Sequence, residues 1–390
     1  MIVYFAGSEY AGIAGTDRHI ATRLSAMTPV LYVDPPRPAA DHAGPWQLGP
    51  GLWRLAPWVP RGAFRPGVHT VTTRLMRRAA RRAAAALGQR ITGVIVATYD
   101  DLLGTAPGAR TLFYATDDLV SGADLLGLPR RRLAAGQARQ LARADAVAAV
   151  SPALAERLRR AGRAGAHRPD VVVVPNGCAA DAYAAVDAAP WPADLPAGFG
   201  APGGEPVAGF VGHINARIDI AVLAAVAAAG GPLLLVGPRH PGYEPERFPA
   251  LLSRPNVFWT GPKPFAELPS YLRVIDVGLT PYRATEFNRA SFPLKTLEYL
   301  AAGRGVVSAD LPATAWLRDD PAGAELITVA RTPADFVQAV RAAPAVRTAP
   351  AGAARSAEPA RRRRAFAQRH DWSERARTVA GLLMPQEVPA

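Results

Sequence analysis

Short apolar runs recur along this 390-residue chain, each bounded by turn residues and separated from the next by Ala/Leu/Arg-rich segments with helical spacing. That alternation marks parallel βαβ units: a parallel strand covered on both faces reads as an unbroken apolar run and needs a helical crossover to reach its neighbour. The runs fall into two sets. The first holds Ile2–Phe5, Val30–Val33, Val94–Ala97, Leu112–Tyr114, Ala146–Val150 and Val171–Val174. The second holds Val207–Val211, Leu233–Val236, Val257–Trp259, Val277–Thr280, Gly305–Ser308 and Leu326–Val329. A chain of this length outgrows a single core. The reading is therefore α/β with two Rossmann-like domains, at 1–182 and 207–364, joined by a Pro/Gly/Ala-rich linker over 183–206. Ala345–Pro359 is expected to be irregular. A final helix over Ala365–Leu383, in a terminal segment 365–390, is placed to cross back to the first domain.

Composition narrows the function classes. With 49% hydrophobic and 20% charged residues the chain is read as a soluble globular protein. No apolar stretch approaches the roughly 18 residues of a membrane span. Met1–Phe5 lacks a basic leader and reads as a buried first strand, and Cys178 is the single cysteine, so the expected setting is a reducing cytoplasm without disulfides. The net charge of +13 favours anionic partners, among which phosphorylated substrates, acidic lipid and nucleic acid all remain open at this point.

Open parallel sheets hold ligands beyond the carboxyl ends of their strands, so the residues after each run carry the functional argument. After the first strand, a loop from Gly7 through Gly12, Gly15 and Thr16 opens a helix; it is either a substrate loop or a tight turn. Thr98-Tyr99-Asp100-Asp101 and Ala115-Thr116-Asp117-Asp118 follow later strands of the same set. Asp117 or Asp118 is a candidate to orient an acceptor hydroxyl or to act as base, with helix capping as the alternative. In the second set, Gly212-His213-Ile214-Asn215-Ala216-Arg217 joins a strand to a helix, and Arg217 is placed to pair with a diphosphate. His213 is either structural or catalytic. The segment Phe292 to Val307 predicts a helix from Pro293 with Lys295 in its first turn, where a cation is disfavoured unless an anion is present. Glu298, one turn on, is a candidate for ribose hydroxyls, with a solvated helix face as the alternative.

Taken together, Phe292–Val307, the upstream Val173-Val174-Pro175-Asn176-Gly177 turn, the G-x-x-x-x-R loop at Gly212–Arg217 and the Trp-containing C-terminal helix resemble the GT-B glycosyltransferases of family 4 (glycosyl transferases group 1). The resemblance implies two parallel sheets facing across an interdomain cleft, with acceptor bound by the first domain and nucleotide sugar by the second. It implies a hexosyl- or deoxysugar-transferase, retaining and metal-independent, and the chain has no Asp-x-Asp pair. The nucleotide-diphosphate sugar, in a bacterial setting and with UDP named first among UDP, GDP and dTDP as the nucleotide, is a co-substrate and no cofactor is called for. By position, Arg217 and Lys295 become diphosphate ligands and Glu298 the ribose contact. Gly212, Gly261, Lys263, Pro293 and Leu294 are counted with the donor site. Gly12, Gly15, Thr16, Tyr99 and Asp100 are counted with the acceptor side, and Asp117, Asp118 and His213 with catalysis. The first glutamate of the family's E-x7-E pattern falls at Ala290, with Glu286 or Asn288 as possible substitutes.

Arg74, Arg77, Arg78, Arg81 and Arg82 are spaced for one face of a helix, which suits either solvent or the anionic inner face of a membrane. Arg361–Arg364 form a second basic run without interleaved aromatics, so nucleic acid ranks low as a partner. The leading reading is a glycosyltransferase acting on a small-molecule or glycan acceptor. The rivals are a membrane-apposed transferase with a lipid-linked or cell-envelope acceptor, and a non-catalytic nucleotide-sugar binder.

Overall fold

The computed structural model describes residues 1–12, 14–37, 44–62, 65, 67–162, 170–201, 204–344 and 354–383, with the backbone alone over 354–357. The chain divides into two compact units, Met1–Asn176 with the residues from Trp372 onward, and Gly177–Asp371.

The first unit is built on strands β1 (Ile2–Phe5), β2 (Val30–Val33), β3 (Trp46–Gly49), β4 (Leu52–Leu55), β5 (Gly93–Val96), β6 (Arg110–Ala115), β7 (Ala146–Ala149) and β8 (Val171–Val173). They lie in the order β3-β4-β2-β1-β5-β6-β7-β8. All neighbours are parallel except β3, which runs antiparallel to β4. The central strands are apolar on both faces because both faces are covered; every residue of β1 and β2 is buried. Phe5 pairs with Val33 and with Val96, so the loops after β1, β2 and β5 leave from one edge.

Strands β3 and β4 are absent from the sequence reading. β3 is an exposed edge strand, and β4 buries only Leu52 and Leu55 around Trp53 and Arg54, so neither shows an apolar run.

The second unit holds β9 (Ala208–Val211), β10 (Leu233–Val236), β11 (Val257–Trp259), β12 (Val277–Thr280), β13 (Gly305–Ala309) and β14 (Ile327–Ala330), all parallel in the order β11-β10-β9-β12-β13-β14. Its core packs Phe210, Leu223, Leu235, Phe248, Leu279 and Phe336 around this sheet.

The described residues of the stretch expected as a linker, 183–201 and 204–206, fall within the second unit and pack there through single anchors. Tyr183 and Val186 are fully buried, and Asp187 pairs with the buried guanidinium of Arg304 at 2.6 Å. Isolated anchors in a Pro/Gly/Ala background leave no periodic signal. Residues 345–353 of the stretch expected to be irregular lie outside the described residues. From there a helix runs over Ala354–Gln368 and a second over Trp372–Leu383, where one final helix was expected. The basic run sits on the first of these and is internally engaged: Arg361 with Glu358, Arg362 with Glu325, Arg363 with the Gly303 carbonyl and Arg364 with Asp187. The second packs on the helix Thr16–Leu24, where the buried Trp372 ring stacks on His19 with centroids 5.0 Å apart.

Candidate active site

The second unit gathers its candidate groups over the carboxyl ends of β9, β10 and β12. Gly212 follows β9, and its N–H donates to the Val236 carbonyl at 2.8 Å. Gly237 follows β10 with φ +133°, and a Cβ there would lie 2.0 Å from the Gly212 carbonyl oxygen, so only glycine fits. Its N–H donates to the carbonyl of Gly261 at 2.9 Å. Gly261 therefore reaches the site through its backbone.

The helix Leu294–Ala301 begins just after Pro293, which caps it in an extended conformation. Lys295 occupies the first turn, with no acidic residue beside it there to offset the positive helix end. Its Cε passes 3.4 Å from the Cβ position of Gly212, and its Nζ meets Oε2 of the mostly buried Glu298 at 2.7 Å. Lys295 and Glu298, assigned from sequence to different parts of a nucleotide, are here each other's partner.

Arg217 stands in the loop after β9. Its Nε donates to Oδ1 of Asn288 at 2.9 Å, and its guanidinium lies over the rings of Phe287 and Tyr282, 4.9 and 5.3 Å from their centroids. Among the described residues no protein group accepts from its two Nη atoms. Asn288 is buried and donates from Nδ2 to the carbonyls of Arg217 and Arg283, at 3.0 and 2.8 Å. Burial pushes the Tyr282 hydroxyl pKa up, while Arg217 and Lys295 pull it down and Glu298 raises it. One ring thus feels all three of the groups assigned to the donor.

Other residues counted with this site are placed differently. Lys263 turns to Asp194 at 2.7 Å, and that hydrogen bond holds its pKa well above the usual ammonium range. No contact joins it to Arg217 or Lys295 among the described residues. His213 is exposed as a residue, yet partial desolvation of its ring, together with the nearby His240, lowers its pKa below the usual imidazole value. His240 has no role in the sequence reading; the pairing of Ile214 with Arg239 carries it to the site. Ala290 is fully buried at the end of the helix Glu286–Ala290. Glu286 is exposed, and Asn288 has both its side-chain oxygen and nitrogen committed to holding Arg217 and its loop.

In the first unit, Gly12 lies in an exposed turn, Gly15 caps the helix Thr16–Leu24, and the Thr16 hydroxyl donates to Oδ1 of Asn176 at 2.7 Å. Asp17, beside it, has no role in the sequence reading. Its buried carboxylate accepts from the Tyr4 hydroxyl at 3.0 Å and the Gly7 N–H at 2.8 Å. Burial raises its pKa to about 6 against those hydrogen bonds. The available signal was an Asp in the first turn after a glycine loop.

Tyr99 is a core residue whose hydroxyl donates to Gln137 at 3.1 Å. Asp100 lies 3.4 Å from Nε2 of His69. Asp117 is half-buried, whereas the buried Asp118 is committed: it accepts from the Ser121 N–H at 3.1 Å, the Ser121 hydroxyl at 2.6 Å and Arg157 at 2.9 Å. An Asp held this way closes a turn and pairs with Arg157, an arrangement close to the capping alternative.

Residues 205–343 match the family described as glycosyl transferases group 1. Over the full chain, the fold is similar to sucrose-phosphate synthase from Thermosynechococcus elongatus, with a TM-score of 0.71 at 18% identity over 98% of this chain and 97% of that one. The chain has the GT-B fold. Its second unit carries a glycosyl transferases group 1 domain. Anabaena HepE in complex with UDP and glucose has the same fold, with a TM-score of 0.63 at 14% identity over 98% of each chain. In sequence, 187 residues are 35% identical to TuaH of Bacillus subtilis (strain 168), whose assignment as a teichuronic acid biosynthesis glycosyltransferase is itself provisional. That match spans 47% of this chain and 45% of TuaH.

Proposed function

We propose that this chain is a glycosyltransferase that moves a sugar from a nucleoside diphosphate donor, held by its group 1 domain, to an acceptor hydroxyl. The observation that carries the reading is the convergence of Arg217, Lys295 and Glu298 around Tyr282, above strand ends where only glycine fits. The two unengaged Nη atoms of Arg217 suit bidentate contact with a diphosphate. Lys295 exchanges its carboxylate partner for phosphate when donor binds, and Glu298, released, accepts from ribose hydroxyls. The same two cations and the helix end then offset the charge that builds on the departing diphosphate. We read the transfer as retaining and metal-independent, and UDP as the donor's nucleotide, the last supported by the nucleotide in the HepE complex.

The test is a stability screen of the full chain against UDP, GDP and dTDP, since a ligand of the native state raises its melting temperature. UDP is expected to give the largest shift; no shift with any of the three overturns the reading. A second reading, transfer at an anionic membrane surface, is favoured by the helix Val68–Ala86, which exposes Arg74, Arg78, Arg81 and Arg82 beside Val71. Arg77 leaves that face to pair with Asp101 at 2.7 Å. No helix among the described residues is long and apolar enough to cross a membrane. Cosedimentation with anionic vesicles that is lost in Arg78→Glu/Arg82→Glu would support this reading.

A further inference from the structure

The first unit contains a cavity of about 390 Å³ lined by His69, Thr70, Thr73, Arg74, Arg77, Asp101 and Arg139. It lies beside the carboxyl end of β5, the side on which open parallel sheets hold ligands. Its walls come from the first turns of the helix Val68–Ala86, the loop after β5 and the helix Arg130–Arg143.

The charges do not balance. Arg77 and Arg143 share Asp101, at 2.7 and 3.1 Å. Arg74 and Arg139 have no salt bridge and no side-chain hydrogen bond among the described residues. Behind the lining, Asp100 faces His69 and feels Arg132 and Arg139, and burial raises its pKa. Three guanidinium groups in the lining against one carboxylate leave two positive charges, and the positive end of a 19-residue helix adds to them. A carboxylate would neutralise half of that excess and a phosphate monoester dianion all of it. The volume is several times that of a phosphate ion, so there is room for the body that bears it.

We propose that this cavity binds a phosphoryl group carried by the acceptor, with Arg74 and Arg139 as its principal ligands. The inference rests on the reading of the first unit as the acceptor side.

The test uses the full chain saturated with whichever nucleotide stabilises it most, so that the donor site is filled. Inorganic phosphate is titrated calorimetrically at constant ionic strength, with acetate as the carboxylate control. Phosphate binding is expected to weaken at least tenfold in Arg74→Ala/Arg139→Ala, both exposed positions, and to persist in Arg217→Ala/Lys295→Ala. Equal binding of acetate, binding indifferent to the Arg74/Arg139 pair, or no phosphate binding overturns the proposal. Glucose 6-phosphate and monomeric dihexanoyl phosphatidic acid are titrated in the same way. Tighter binding of either than of inorganic phosphate supports the proposal and assigns a soluble or a lipid source; tighter binding of neither overturns an acceptor role. Nucleotide binding without phosphate binding sinks this inference alone, whereas absence of nucleotide binding sinks the proposed function.

Discussion

Arg217 is held by one hydrogen bond from Nε and by two aromatic faces, so its direction depends on Asn288. Arg217→Ala and Lys295→Ala are each expected to lower kcat/KM at least ~10-fold by removing a charge-assisted contact. Asn288→Ala should approach the same loss although Asn288 is buried beneath the loop; wild-type kinetics in that variant would show that Arg217 holds itself. Such side-chain partnerships were not legible in the sequence. Arg217, Lys295 and Glu298 stand out by residue type and motif, but that Lys295 and Glu298 pair, and that Asp118 is consumed by Ser121 and Arg157, are facts of three-dimensional proximity. Asp17 supplies a prediction in pH. Its folded pKa of about 6 lies above the value of 3.8 for a free carboxyl, with Tyr4, Tyr32, Tyr114 and Asp117 facing it. A raised pKa means that the folded state gains by holding the proton. That contribution is complete below pH ~4 and is lost as the pH rises through ~6, by about 3 kcal/mol. The stability difference between wild type and Asp17→Asn should therefore fall over that window in denaturant titrations, and a difference constant with pH would rule it out.

Among the elements, twelve of the strands were legible because each carries a short apolar run, unbroken where both faces are buried as in β1, β2 and β10. β3 and β4 were not, since an edge strand such as Trp46–Gly49 is exposed and carries no such run. The helix Ala354–Gln368 was hidden for a different reason: it contains Pro359 and lies in an Ala/Pro/Arg-rich stretch. The helix Trp372–Leu383 makes its own prediction. Trp372 is 1% exposed and stacked on His19. Trp372→Ala should cost the first unit ~3–5 kcal/mol through the lost contacts and the cavity left behind. Urea unfolding monitored in the first unit reads this directly, and a loss below ~1 kcal/mol would mean that the helix is only loosely docked.

On the scale of the molecule, each unit has its own sheet and core, so heat should separate their unfolding where a single cooperative transition does not hold. Saturating nucleotide is then expected to raise only the transition of the second unit, by about 2.7 kcal/mol at one hundred times Kd. A uniform shift of both transitions would show that the units unfold as one. The chain's path has a further consequence for the order in which the protein is made. The face of the helix Thr16–Leu24 that receives Trp372 emerges from the ribosome early, while its partner is translated after the whole of Gly177–Asp371. At ~5–20 residues per second, those roughly 200 intervening residues impose a wait of about 10–40 s. The unit encoded second can be finished first, and the one encoded first stays open to chaperones or to a mispaired neighbour until its last helix arrives.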